Sequence, residues 1–384
     1  MKNKFLIILS YFFIIFNSNL FSEENDNILK VGLLAPLSGE YKELGDSLLY
    51  SLQLALKEIG DKNIHIIPRD TGYANKEKLN LAIKEIRAEG ANIVIGPINN
   101  EEFVDVQKFN DMIFISPSNI NHEFQNNIIS IGISLESQMS SLMKFIKKQK
   151  RDNTVILIPK NKYTKLVKEK LNKIDLKNYR IFEYDPDPKV LTGEIEILTN
   201  YSQRKKNLEL RKKLFEDKDD EQSKRQLEKL EQRYTLGEVN FDSLIIIDFG
   251  NGLKSVLASL AFTDVDENKV LFTTVNQWFD ESIFYENTVK NLYYPSVNYK
   301  EFKKYKNNYF KTFGSYPSEM TILTYDALGL IYYLWKKNGK INSVNDFSLK
   351  EKIKGKIGTF SFNNKKTIQD LKIYKTDQNR FIKF

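Results

Sequence analysis

Histidines, cysteines and paired carboxylates perform much of enzymatic chemistry, and this chain holds few of them in a usable arrangement. It contains no cysteine and two histidines, His65 and His122, whose positions match neither a metal site nor a catalytic triad. His65 lies in the apolar run "NIHIIP", which favours a buried, hydrogen-bonded imidazole. The motifs G-x-S-x-G, H-E-x-x-H, Walker A and G-x-G-x-x-G are absent from the sequence. The residue types therefore predict no enzyme, no metal and no cofactor.

The chemistry that the chain does offer is non-covalent binding of polar groups. Four loops rich in hydroxyls, amides and glycine follow apolar runs, at "APLSGEY", "PRDTGY", "GPINNEE" and "SPSNINH". Ligands of open α/β sheets bind where such loops meet at the carboxyl ends of strands. The same residue types also serve loops that bind nothing, as helix caps, turns or packing. The candidate ligand-binding residues are Ser38, Gly39, Tyr41, Asn99, Asn100, Ser116, Ser118, Asn119 and, from the second half of the chain, Tyr163.

Apolar runs alternate with amphipathic segments through most of the chain, which predicts an α/β architecture with parallel sheets. Four strands, ending with "MIFISPS", alternate with helices near 43–59, 75–89 and 101–109. A second series begins with a helix near 136–149 and includes the strands "NTVILIP", "NYRIFEYD" and "SLIIIDFG", whereas "KVLFTTVN" begins a third block with helices near 300–312 and 318–337. The tail is β-rich without helices, which predicts an antiparallel hairpin. Two such series predict two lobes around a cleft, each a doubly wound and mostly parallel sheet. We expect the first lobe to comprise residues 28–132 and 268–355, and the second lobe residues 133–267 and 356–384.

The N-terminus has the pattern of a secretory signal. Lys2 and Lys4 precede the apolar run "FLIILSYFFIIF", and Ser22 is a plausible cleavage residue, so residues 1–22 are the predicted signal peptide. The run is about a dozen residues long, whereas a membrane span needs about 20. An uncleaved anchor is the alternative. With no cysteine, the chain lacks the residue that carries a bacterial lipid anchor. Its net charge of +8 is spread among interleaved acids, which does not indicate nucleic-acid binding.

One strongly charged segment interrupts the alternation at about 196–234. Its sequence is helical in pattern, and the acidic run from Asp217 to Glu221 predicts a turn between two helices. Leu208, Leu214 and Leu230 belong to narrow apolar stripes. We expect a solvated helical hairpin inserted in the second lobe. The alternative is an arm that docks on another protein.

The opening "VGLLAPLSGEYKELGDSLLYSLQLALKEI" resembles the first strand, Ser-Gly turn and first helix of the type 1 periplasmic binding proteins, specifically the leucine/isoleucine/valine-binding family. "AEGANIVIGP", "MIFISPSNINHEF", "YKNNYFKTFGSYPSEMTILTYDALGLIYYL" and the closing "GKIGTFSFNNKKTIQDLKIYKTDQNRF" resemble later segments of that family in the same order. The resemblance implies a two-lobed clamshell. It also implies a soluble receptor that delivers a small polar solute, such as an amino acid, to an ABC importer permease.

The ligand loops depart from the amino-acid-binding pattern of that family. Asn99, Asn100 and Glu101 stand where the resemblance leads us to expect a run of serines. Ile120 falls where a threonine hydroxyl is typical, and "TTVNQW" supplies no acid to receive a ligand ammonium. Tyr163 matches a tyrosine that commonly covers the ligand from the second lobe. A free amino acid is therefore a poor fit to this cleft.

A branch of the same superfamily, the penicillin-binding protein activators, fits other segments. "PRDTG", the charged insertion with the "LGEVNFDSLII" that follows it, and "TTVNQWFDE" are similar to segments of that branch. The resemblance implies a periplasmic, non-catalytic regulator whose partner is a bifunctional peptidoglycan synthase. The sequence departs from the outer-membrane members in having no lipidation cysteine, and we expect no helical-repeat domain in front. The sequence leaves two functions open, this regulator and the solute-binding protein of an importer.

Overall fold

The computed structural model describes residues 28–99, 102–119, 127–174, 178–285, 290–356, 358–363, 366–377 and 379–384. The predicted signal peptide, together with Asn100, Glu101, Ile120 and His122, lies outside these residues. None of the helices in the described ranges combines the length and the apolar character that a membrane crossing requires.

The first sheet contains five parallel strands in the order β2-β1-β3-β4-β5. They are β1 (Leu29–Ala35), β2 (Ile64–Asp70), β3 (Ile93–Ile95), β4 (Ile113–Ser116) and β5 (Ile128–Ser130). The connecting helices are α1 (Lys42–Ile59), α2 (Lys76–Ala88) and α3 (Phe103–Val106). The central strands β3 and β4 are buried throughout because helices cover both faces of the sheet. β5 was not predicted, since its three residues give no periodic signal.

His65 corrects one expectation. Its side chain is exposed rather than buried. The reason is the position of β2 at the edge of the sheet, where it pairs with β1 alone. The sequence of a strand shows which residues are apolar, but it does not show whether the strand lies at the edge or in the centre of the sheet.

The second sheet contains seven strands in the order β15-β14-β10-β9-β8-β6-β7. Its parallel part consists of β6 (Thr154–Pro159), β7 (Tyr179–Tyr184), β8 (Ser243–Ile246), β9 (Leu271–Thr274) and β10 (Leu292–Ser296). β14 (Lys372–Asp377) runs antiparallel to β10 and forms the predicted terminal hairpin with β15 (Arg380–Lys383). The helices are α4 (Leu135–Lys148), α5 (Thr164–Asn172), α6 (Pro188–Leu198), α7 (Tyr201–Glu216), α8 (Glu221–Glu231) and α9 (Gly250–Phe262).

The expected return to the first lobe at residue 268 is wrong. β9 and β10 both hydrogen-bond within the second sheet. The chain returns only with α10 (Tyr299–Phe313) and α11 (Ile322–Asn338), which pack on α1. The boundary was misplaced because β9, in "KVLFTTVN", was assigned to a third block that returns to the first lobe, and because β10, "LYYPS", was not predicted as a strand.

Each sheet is covered on both faces, which makes both lobes doubly wound as predicted. In the first lobe, α1 and α11 pack on one face and α2 and α3 on the other. In the second lobe, α6 and α9 cover one face, and α4 and α5 the other. The start of α1 lies close to the turn after β1, where a Cβ on Gly45 would be 2.1 Å from the Pro36 carbonyl oxygen. Only glycine fits at this point.

The charged insertion is the predicted helical hairpin. α7 ends at Glu216 and α8 begins at Glu221, so the turn lies in the acidic run, as predicted. The hairpin is attached to the lobe by Arg204, which is 5% exposed. Its guanidinium donates hydrogen bonds to the carbonyls of Thr199, Thr263 and Asp264 and to the Thr235 hydroxyl.

A third, small sheet lies where the chain passes between the lobes. It consists of β11 (Ile353–Lys354), β12 (Thr359–Asn363) and β13 (Lys366–Asp370) in antiparallel order. The Thr367 hydroxyl and the Gln369 side chain donate to the carbonyls of Ser130, the last residue of β5, and of Ile131, which follows it. These bonds link the last segment that passes between the lobes, which contains β13, to the first such segment, near residues 131–134.

Candidate functional site

The two sheets place two sets of loops where the strand order reverses. In the first sheet the reversal lies between β1 and β3, and in the second sheet between β6 and β8. Such reversals create the crevice in which open α/β sheets bind ligands. The loops at these points contain Ser38, Gly39, Tyr41 and Asn99 in the first lobe, and Tyr163 in the second.

Ser38 is bound to the protein itself. Its hydroxyl donates to Asp70 Oδ2 at 2.5 Å and accepts from Lys78 Nζ at 3.2 Å. Asp70 ends β2, and its other carboxylate oxygen accepts the backbone amides of Leu37 and Gly72 at 2.8 and 2.9 Å. The protein's own carboxylate thus occupies the hydroxyl and the amide that a ligand carboxylate would use. Sequence reasoning quoted Asp70 in "PRDTG" but did not recognise this role.

The ionisation of Asp70 follows from these contacts. Burial opposes its charge, but hydrogen bonds from Ser38, Gly72, Lys78 and Leu37 outweigh burial and lower the pKa of Asp70 to about 2. The carboxylate is therefore charged at any physiological pH. Gly39, with φ of +77°, and Tyr41 complete the turn that leads into α1.

The serines after β4 are also engaged within the protein. Ser116 is fully buried, donates to the Pro97 carbonyl at 2.6 Å and accepts the Ser118 amide at 3.2 Å. Ser118 is 6% exposed. The Asn119 side chain is exposed, and its carbonyl accepts the Ile133 amide at 3.1 Å. These residues connect neighbouring loops with one another.

The loop after β3 adds a second carboxylate to the first-lobe side. Asn99 is half-buried, and its backbone carbonyl accepts the Glu102 amide. The Glu102 side chain is buried, and its carboxylate accepts the Ala74 amide at 2.9 Å. With Asp70, this gives the first-lobe loops two protein carboxylates, which disfavour an anionic ligand.

Two tyrosines of the first lobe stack beside these carboxylates. Tyr41 and Tyr73 have ring centroids 3.8 Å apart. Burial raises the pKa of Tyr73, and Tyr41, Tyr163 and Glu102 raise it further.

Tyr163 stands just before α5 and is 48% exposed. Its amide donates to the Asn161 side chain, and Lys162 Nζ lies 5.0 Å from its ring centroid. The second-lobe side of the crevice therefore presents an aromatic ring together with a cation. Of the candidate residues, Tyr41 and Tyr163 are the ones with exposed aromatic rings, so these rings are best placed to contact a bound molecule.

The second lobe also contains an acid that sequence reasoning missed. Asp248 follows β8, and its carboxylate accepts the Tyr184 hydroxyl and the Phe249 amide. Burial and this carboxylate raise the pKa of Tyr184, so the tyrosine stays a hydrogen-bond donor. Asn276 and Gln277, considered for a ligand ammonium, are buried, and their side chains bond to neighbouring residues. The signal for Asp248 was its place directly after the buried strand "SLIII".

The described residues contain no group of histidines, cysteines and carboxylates arranged to bind a metal. The crevice combines internally bonded hydroxyls, protein carboxylates and exposed aromatic rings. This arrangement is suited to reversible, non-covalent contact.

Comparisons with known proteins agree with this architecture. The sequence model of a family described as periplasmic binding protein matches residues 28–173, which is less than half of the chain. The substrate-binding protein LivJ of the branched-chain amino acid transporter of Streptococcus pneumoniae, solved with isoleucine, is 16% identical with a TM-score of 0.55. The alignment covers 93% of this chain and 100% of LivJ. The chain has the type 1 periplasmic-binding-protein fold.

Structures of two further kinds share this periplasmic-binding-protein fold. Full-length LpoA of Haemophilus influenzae is 14% identical with a TM-score of 0.62, and the match covers 95% of this chain but 60% of LpoA. A solute-binding protein of an ABC transporter from Rhodopseudomonas palustris, in complex with 3,4-dihydroxybenzoic acid, is 14% identical with a TM-score of 0.59 over 93% and 96% of the two chains. No curated protein matches the sequence. The resemblances to the leucine-binding proteins and to the activator branch are thus confirmed at the level of the fold.

Proposed function

We propose that this protein is an exported, non-catalytic regulator of the penicillin-binding protein activator type, which works by contacting a bifunctional peptidoglycan synthase in the periplasm. The observation that carries the proposal is that polar side chains of the first-lobe loops are already hydrogen-bonded within the protein. Ser38 and Ser116 donate their hydroxyl protons to acceptors within the protein, Asp70 is the acceptor of Ser38, and Glu102 adds a buried carboxylate after β3. A ligand carboxylate would have to displace these bonds and approach two negative charges.

The charged hairpin supports the same proposal from another part of the molecule. Its helices project polar faces on which Leu210 and Leu214 are 54% and 57% exposed. Lys206 and Lys213 flank these leucines on the same face of α7, since residues three, four and seven positions apart lie on one side of a helix. Leucines surrounded by cations are suited to a protein surface with apolar pockets and acidic rims. The sequence resemblance to activators includes this insertion, and LpoA shares the fold.

The second candidate function is that of a solute-binding protein for an ABC importer. The observation in its favour is the aromatic crevice, in which Tyr41 stacks on Tyr73 and Tyr163 approaches from the other lobe. Aromatic faces bind planar or apolar portions of small molecules. Solute-binding proteins solved with isoleucine and with 3,4-dihydroxybenzoic acid share the fold.

Two measurements separate these functions. The first is binding of the purified protein to the purified bifunctional synthase of the same organism, compared with the double variant Leu210→Ser, Leu214→Ser. We expect at least a tenfold loss of affinity in the variant, because burying a leucine side chain at an interface contributes roughly 1.5–3 kcal/mol. Leu81→Ser is the matched control, since Leu81 is 58% exposed on α2 in the other lobe. Equal binding by both variants, or no binding by the native protein, would refute the regulator.

The second measurement is thermal unfolding against amino acids, organic acids, aromatic acids and small peptides. A ligand present at 100 times its Kd stabilises the folded state by about 2.7 kcal/mol. We expect no such shift that depends on Tyr163. A shift abolished by Tyr163→Ala would favour the solute-binding protein instead.

A further inference from the structure

One cavity among the described residues lies outside the crevice. It has a volume of about 730 Å³ and opens between the C-terminal end of α1, the helices α10 and α11, and the small sheet. This volume is in the range of small-molecule sites in proteins. The walls include Glu58, Glu301, Tyr325, Tyr333, Lys354 and Phe360.

The cavity stands where the chain passes between the lobes. Asn298, in the connection from β10 to α10, lines it on one side, and Gly355, in the connection from α11 back towards the second sheet, lines it on the other. A molecule bound here contacts the first lobe and both connections at once.

One side of the cavity is made rigid by internal bonds. Lys356 Nζ donates to both carboxylate oxygens of Glu58, at 2.6 and 2.7 Å, and lies 5.2 Å from the Tyr325 ring centroid. The backbone amide of Lys356 donates to Asp326. Burial opposes the charge of Glu58, but Lys356 and Tyr325 lower its pKa overall. Glu58, Asp326 and Lys356 therefore have partners within the protein, and they form one wall of the cavity.

Two other charged groups of the lining are not satisfied in this way. Glu301 is half-buried in the first turn of α10, and Lys354 is exposed on β11. Within the described part of the chain, neither side chain has an ion pair, and the two do not pair with each other. One cavity thus holds a carboxylate and an ammonium on separate walls, each available to an opposite charge.

The floor of the cavity is kept open by a glycine. Gly329 lies inside α11, where glycine is a poor helix former, and a Cβ built on it would meet nothing within 4 Å. Packing and backbone conformation therefore do not explain this glycine. The missing side chain enlarges the cavity between the rings of Tyr325, Tyr333 and Phe360.

We propose that this cavity binds a small zwitterion, a molecule whose cationic group pairs with Glu301 and whose anionic group pairs with Lys354, with its apolar part against the aromatic walls. Short peptides with free termini have this chemistry. The site is independent of the crevice between the lobes and of the regulator proposed above.

Alanine peptides of increasing length test the proposal, because they vary the distance between ammonium and carboxylate and carry small apolar side chains. Binding of L-alanine, dialanine, trialanine and tetraalanine to the purified protein would be measured by saturation-transfer NMR and by calorimetry. We expect one length to bind best, and N-acetylation or C-terminal amidation of that peptide to weaken binding at least tenfold. No binding by any of the four, or equal binding of the capped forms, overturns the proposal.

Variants of the protein show whether the peptide binds in the cavity or in the crevice. Glu301→Gln and Lys354→Gln should each weaken binding of the best peptide about tenfold, and Gly329→Leu, which fills the floor, should abolish it. Gly329→Ala is the folding control, and Tyr163→Ala the control for the crevice; both should retain binding. Loss of binding in Tyr163→Ala with retention in Gly329→Leu would assign the peptide to the crevice and refute the cavity site.

Discussion

Replacing Asp70 by asparagine tests the interpretation that the first-lobe loops are held together by the protein's own carboxylate. The substitution keeps the shape of the side chain and one acceptor oxygen for the Leu37 and Gly72 amides. It removes the charge near Lys78 and the acceptor for the Ser38 hydroxyl. We expect Asp70→Asn to destabilise the fold while leaving the sheets intact.

The magnitude follows from the pKa of Asp70. Its pKa is lowered from 3.8 to about 2. Since one pKa unit corresponds to 1.36 kcal/mol, the folded protein gains about 2 kcal/mol from this carboxylate at neutral pH. Because the folded pKa is depressed, the contribution is complete above the unfolded pKa of 3.8 and is lost as the pH falls through 2. At pH 3 about half of it remains.

Urea unfolding of the native protein and Asp70→Asn at pH 7 and pH 3 measures both values. We expect a difference of about 2 kcal/mol at pH 7 and about half of that at pH 3. Asp46→Asn is the control, because Asp46 pairs with Lys42 on the exposed surface of α1, where an ion pair contributes little. A difference under about 0.5 kcal/mol at pH 7, or one that does not shrink at pH 3, would refute the reasoning.

Three further predictions concern the insertion and two glycines. Arg204→Met should lower the free energy of unfolding in urea by about 3 kcal/mol and expose the hairpin to proteolysis, because the acceptors of the buried guanidinium lose their donor. Lys205→Met is the control: Lys205 lies on the exposed face, so its substitution should change neither the stability nor the proteolysis. Gly45→Ala should lower the free energy of unfolding by about 2 kcal/mol, since the new Cβ meets the Pro36 carbonyl; no change would mean that the turn can shift. Gly329→Ala should raise the free energy of unfolding by about 1 kcal/mol, because alanine is the better helix former and meets open space; a decrease would show that the cavity is smaller than described.

The fold could be predicted from sequence where a pattern is local. Alternating strands and helices gave the two doubly wound lobes, and the acidic run Asp217–Glu221 gave the turn between α7 and α8. Sheet order is not local. The exposure of His65 depends on β2 lying at an edge, and the lobe boundary depends on β9 and β10 pairing within the second sheet. These two expectations were therefore wrong.

The candidate site could be predicted only in part, for a related reason. Loop composition identified the serines and tyrosines but not their partners. Ser38 and Asp70 are 32 residues apart and meet because β1 and β2 are adjacent with Ala35 opposite Asp70. Asp248, after β8, and Tyr184, at the end of β7, lie on either side of β6 and meet at the end of the second sheet. Whether a hydroxyl is free for a ligand depends on such distant neighbours.

The turn "PLSGEY" illustrates why motif retention does not by itself identify a ligand site. Each of its key residues has a task in folding. Gly39 adopts a positive φ, Ser38 bonds to Asp70, and the following Gly45 lets α1 approach Pro36. A chain that had lost its solute would keep all three, because losing any of them costs stability. The residues without such a task are more informative. The Tyr163 ring faces the crevice half-exposed, and the Glu301 and Lys354 side chains line the cavity beside the small sheet without ion-pair partners in the described ranges. Function in this fold is therefore best sought at side chains whose positions folding alone does not explain.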